Sequence, residues 1–77
     1  MLIPLNKTRN GESGIVKDVG GGDGLKRRLA ALGLRVGLKV TKVSGMYFLG
    51  PITVRVGHTQ IALGHSMAGK VMLEVEG

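Results

Sequence analysis

The chain has 77 residues, 43% of them hydrophobic and 21% charged, and one small core uses most of such a length, so a second domain is excluded and residues 1–77 are expected to fold as one unit. Eleven Lys and Arg against five Asp and Glu leave a net charge of +6, which favours acidic partners. With no cysteine there is no disulfide, thiolate nucleophile or cysteine-bound zinc, and with Tyr47 and Phe48 as the aromatic residues there is no platform on which nucleobases would stack.

Residues 1–5 are apolar but reach Lys7 too soon to be the hydrophobic region of a secretion signal. No window approaches the ~20 apolar residues of a membrane helix. A cytoplasmic chain without membrane insertion is the expectation. The stretch Ser13–Val19, rich in β-branched residues and fenced by Gly11 and by Gly20, Gly21 and Gly22, predicts a first strand. Asp23 is placed to cap a helix with its carboxylate. Within that helix Leu25, Leu29 and Leu32 recur at helical spacing, and Gly33 supplies a left-handed terminator. Lys26, Arg27 and Arg28 fall between the leucines and form an outward basic face.

After a turn at Arg35, Val36 and Gly37, residues 38–43 predict a strand whose alternation is imperfect: Leu38 and Val40 share a side with Lys42, and Val43 faces the other way. A bulge or an exposed end is expected there. Such an open edge would allow weak homo-oligomerisation. Next, Ile52, Val54 and Val56 alternate with Thr53 and Arg55, and Gly57-His58 connects them to Thr59–Leu63, where Ile61 and Leu63 continue the inward pattern of a hairpin. Residues 65–69 predict one helical turn. Last, Val71, Leu73 and Val75 oppose Met72, Glu74 and Glu76 in a final strand. The sum is mainly β: a small antiparallel barrel of about five strands, with a helix inserted after strand one and a short helical turn before the last strand.

Most motif-like spacings lack the context their chemistry needs. Gly64-His65-Ser66-Met67-Ala68-Gly69-Lys70 has the glycine and lysine spacing of a phosphate loop, but Val71 stands where Ser or Thr would bind magnesium and a strand follows. The cluster Gly20-Gly21-Gly22-Asp23-Gly24 reads as a strand-to-helix loop whose N–H groups could hold an anion, with Asp23 competing for them. His58 and His65 fit no metal-ligand spacing with Asp18 and Asp23, so no metal or other cofactor is expected. Ser13, Ser44 and Ser66 have no His and carboxylate at a recognisable spacing, so no catalytic residue is assigned. Met46, Tyr47, Phe48 and Leu49 place four large apolar residues in a glycine-bounded loop. Either the loop folds back to plug one end of the barrel, or part of it is exposed as an anchor for a protein partner.

Taken in order, Leu29-Ala30-Ala31-Leu32-Gly33-Leu34-Arg35-Val36-Gly37, Leu49-Gly50-Pro51-Ile52-Thr53-Val54-Arg55-Val56 and Ile61-Ala62-Leu63 resemble the FeoA family of small ferrous iron transport proteins, from about Leu5 to Val75. Arg35 departs from the proline common at that place, and Gly64 from a common basic residue. The resemblance implies an SH3-like barrel with no enzymatic activity, acting as a cytoplasmic accessory of the FeoB ferrous iron transporter, a membrane protein with a cytosolic GTP-binding domain. On that basis Lys26, Arg27 and Arg28, together with Met46, Tyr47, Phe48 and Leu49, are expected to dock on the transporter's cytosolic region. The alternatives are a nucleic-acid-binding barrel, disfavoured by scarce aromatics and scattered charge, and an interaction domain like the C-terminal domain of iron-dependent repressors.

Overall fold

In the computed structural model, which describes residues 1–45 and 50–76, β-branched and leucine side chains of six short strands wrap around an aliphatic core. The strands are β1 (Leu2–Pro4), β2 (Ser13–Val19), β3 (Lys39–Ser44), β4 (Ile52–Val56), β5 (Thr59–Leu63) and β6 (Val71–Glu74). Two helices interrupt them, α1 (Asp23–Ala31) between β2 and β3 and α2 (His65–Ala68) between β5 and β6, and a 3-10 turn occupies Leu5–Lys7. All neighbouring strands are antiparallel, in the order β1-β6-β2-β3-β4-β5.

The expected five strands are therefore six. β1 has three residues, too few for an alternation signal, and is held by pairing Leu2 with Glu74, Ile3 with Leu73 and Pro4 with Met72. Its proline sits on an edge strand, where a missing N–H is tolerated. The open edge also lies elsewhere than expected. β3 is enclosed between β2 and β4, and the sheet ends on β1 and β5.

Two bulges reconcile the core with the sequence pattern. Val16 and Val19 are both buried although three residues apart, which a regular strand of period two forbids. A register shift against β6 between Val16 and Asp18 resets the phase. A second shift, against β4 between Lys42 and Ser44, marks the imperfect stretch of β3. Lys42 does point inward with Val40 and is only 2% exposed. Its stem is covered and its Nζ donates to the Thr8 carbonyl at 2.6 Å, while the Thr8 hydroxyl donates to the Leu5 carbonyl at 2.7 Å. Burial pushes the Lys42 pKa below 10.5, and the nearby Glu12 carboxylate acts in the opposite direction. An inward lysine thus ties the segment after β1 to the sheet.

Gly14 marks a close approach of strands. A Cβ built there would lie 2.8 Å from the Glu74 carbonyl oxygen and 2.8 Å from Val75 Cγ1, and the carbonyl belongs to the backbone of β6, so it cannot swing aside. Gly24, in the first turn of α1, has open space around it. Gly14→Ala is expected to lose ~1–3 kcal/mol by overpacking, whereas Gly24→Ala should gain about 0.4–1 kcal/mol by restricting the unfolded chain. Thermal melts of the two variants should move in opposite directions. A Gly14→Ala protein as stable as the parent would contradict the close approach.

Candidate functional site

The site is built by the helix and by the way it ends. In α1 Leu29 is fully buried and Leu25 packs at the margin of the core, which leaves Lys26, Arg27 and Arg28 on the exposed side. Asp23 does not cap: Gly22 occupies the N-cap position with no side-chain bond, and Asp23 is the first helical residue. The chain enters the helix one residue earlier than the carboxylate would need. Its negative charge still faces the positive end of the helix dipole.

At the other end Leu32 is the C-cap, and Gly33 turns through φ +101°. The Leu34 N–H donates to the Leu29 carbonyl at 2.8 Å and the Gly33 N–H to the Ala30 carbonyl at 3.0 Å, the paired bonds of a Schellman motif. This turn returns Leu34 to the core at 1% exposure and leaves Leu32 at 44%. Leu32 was expected inside from helical spacing; the helix stops at that residue, and Leu34 takes the buried place instead. The following turn is pinned to β2, since the Gly37 N–H donates to the Val16 carbonyl at 2.8 Å and the Val16 N–H to the Leu38 carbonyl at 3.0 Å.

Between α1 and this turn lies an open groove of ≈ 280 Å³, lined by Val19, Lys26, Arg27, Ala30, Leu34, Arg35 and Val36. Two of the three expected cations, Lys26 and Arg27, are on it. Arg28 is exposed on the last turn of α1 and does not line it. Arg35 does line it, although the sequence marks it only as a turn residue and a departure from proline, not as part of a binding face. The available signal was the terminator Gly33 two residues before it. Met46, Tyr47, Phe48 and Leu49 lie outside the described residues.

A second groove, ≈ 390 Å³, is lined by Glu12, Ser13, Gly14, Ile15, Lys39, Glu74 and Glu76. Its acidic character is invisible in the linear sequence because it follows from pairing Ile15 with Glu74 across β2 and β6. The amino group of Met1 donates to Glu74 and holds that carboxyl below its ordinary value of 4.5. Among the described residues no group of three His, Cys, Asp or Glu side chains is arranged to hold a metal ion. His58 is exposed in the β4–β5 turn, His65 opens α2, and Asp18 and Asp23 are exposed. Among the described residues no helix is long and apolar enough to cross a membrane, which says nothing of membrane β-barrels.

Residues 3–75 match the FeoA domain. The chain belongs to the FeoA family. It is 32% identical over 73 residues to a protein named Fe(2+) transport protein A from Methanocaldococcus jannaschii, covering 95% of this chain and 87% of that one. A crystal structure described as an iron uptake regulatory protein (FeoA) is 34% identical and superposes with a TM-score of 0.87 over 96% of each chain. The fold is accordingly the SH3-like fold of FeoA structures. FeoA proteins are accessory proteins without enzymatic activity, and membership places this chain among them. A manganese-dependent transcriptional repressor also superposes, with a TM-score of 0.86 over 97% of this chain and 42% of the repressor, but at 21% identity that likeness is one of fold alone.

Lys26, Arg27 and Arg28 have no ion-pair partner among the described residues, so they contribute no ion pair to the fold there. Replacing all three by Gln is expected to change stability by less than about 0.5 kcal/mol per position. Urea melts measure this, and a much larger loss would show that these cations belong to the fold rather than to a surface for partners.

Proposed function

We propose that this chain is a cytoplasmic accessory and regulatory protein of ferrous iron uptake that binds the cytosolic region of a FeoB-type GTP-binding membrane transporter. The observation that carries the reading is the FeoA domain match over residues 3–75, supported by relatives whose names concern Fe(2+) transport and iron uptake regulation. The basic face of α1, Lys26, Arg27 and Arg28, together with Met46, Tyr47, Phe48 and Leu49, forms the docking surface in this proposal. Exposed unpaired cations suit such a role, because they speed encounter with an acidic surface at little cost to the fold. Regulation then requires that the domain bind two conformations of the transporter with different affinities.

An arginine finger for GTP hydrolysis is a weaker account. That role needs one guanidinium held rigidly at the nucleotide, and Lys26, Arg27 and Arg28 are all solvent-exposed with no group among the described residues fixing them. Nucleic-acid binding is likewise disfavoured, since the groove between α1 and the Arg35 turn carries no aromatic side chain. In a pull-down with the transporter's cytosolic domain, the variant with Gln at Lys26, Arg27 and Arg28 should bind ~3- to 10-fold more weakly, as expected for the loss of a few exposed charge pairs. Unchanged binding would remove the α1 face from the account.

A further inference from the structure

The groove between α1 and the Arg35 turn combines two recognition chemistries. Its floor is apolar, with Val19 and Leu34 at 4% and 1% exposure, and Val36, 58% exposed, carries that apolar surface out to solvent. Its rim is cationic. Lys26, Arg27 and Arg35 line it and no acidic residue does, and none of the three has an ion-pair partner among the described residues. At ≈ 280 Å³ the groove falls below the ~300–1,000 Å³ typical of small-molecule sites, so it suits one or two side chains rather than a cofactor. Guanidinium groups match the planar geometry of carboxylates and pair with them bidentately. The turn that carries Arg35 and Val36 is fixed by backbone bonds to β2, which limits the ordering cost of binding.

We infer that the groove receives a short acidic segment of a partner protein, with one aliphatic side chain seated on Val19, Leu34 and Val36 and flanking carboxylates paired with Lys26, Arg27 and Arg35. This inference rests on the docking reading above and specifies the chemistry of the partner's segment. A polynucleotide would satisfy the rim but find no ring to stack on. An anionic bilayer, being flat, would meet the rim and leave the floor unfilled. The chain's own Glu74, Val75 and Glu76 repeat the acidic-aliphatic pattern, but Val75 is 4% exposed and is not offered to a second copy.

The test is an NMR titration of the full chain with a blocked nonapeptide carrying a central leucine between two pairs of glutamates. Saturable shifts should centre on the amides of Lys26, Arg27, Ala30, Arg35 and Val36, with a dissociation constant of ~0.1–1 mM. Replacing the glutamates by glutamine, or both Arg27→Gln and Arg35→Gln in the protein, should weaken binding ~3- to 10-fold. Glycine in place of the leucine, or Val36→Ser, should also weaken it, the former by ~10-fold. Because Arg27, Arg35 and Val36 are exposed, the variants should keep the dispersed spectrum of the parent. Absence of saturable shifts up to ~5 mM peptide, shifts centred elsewhere, or equal binding of the glutamine peptide would overturn the inference. So would shifts of the same amides by phosphatidylserine-containing vesicles or a single-stranded oligonucleotide with which the peptide does not compete. The pull-down reads transporter docking separately, so failure of the peptide and failure of the accessory reading are told apart.

Discussion

The exit of α1 through Gly33 decides what this small barrel presents to its surroundings. At φ +101° the chain adopts a conformation that side chains bearing a Cβ rarely take. It allows the Leu34 N–H to reach back to the Leu29 carbonyl, and it places Leu34 in the same core cluster as Leu29. Burial of two leucines, each worth ~1.5–3 kcal/mol relative to exposure, anchors both ends of the reversal. Arg35 and Val36 then have little choice of position, because Gly37 is already bonded to β2. The groove is a by-product of ending a helix against a sheet.

Much of this was legible in the sequence wherever the signal is local. Ser13–Val19 and the hairpin Ile52–Val56 with Thr59–Leu63 have the predicted bounds, since glycine punctuation and period-two burial act within a few residues. The order of glycines and aliphatic runs carried a resemblance to the FeoA family, and the SH3-like fold was legible as what that resemblance implies. Signals that depend on distant pairing were not legible. β1 is a strand only because β6 supplies partners for it. Lys42 looked like an interruption of β3, and becomes intelligible once the Thr8 carbonyl is seen to receive its ammonium group.

The site divides in the same way. The outward placement of Lys26, Arg27 and Arg28 follows from helical periodicity, and all three are exposed. Membership of the groove does not follow from it: Arg28 lies off the groove, and Arg35 joins it from a different segment. The acidic groove of Glu12, Glu74 and Glu76 likewise needs β2 and β6 side by side. A net charge of +6 therefore conceals two surfaces of different chemistry on one domain. That matters for comparing relatives, because the repressor that shares this fold at 21% identity shares the scaffold without a basis for sharing either surface.

The central claim is that the α1 exit and the following turn are a fixed part of the fold, so that the groove is preformed. Native-state amide hydrogen exchange of the isolated chain tests it directly. The amides of Leu34 and Gly37, which donate to Leu29 and Val16, should be protected to about the same degree as the backbone amide of Lys42, which lies in β3 and donates to the Glu12 carbonyl away from this turn. Exchange of Leu34 and Gly37 near the unprotected rate, with the Lys42 amide still protected, would mean that the helix end frays independently of the barrel and would contradict the account.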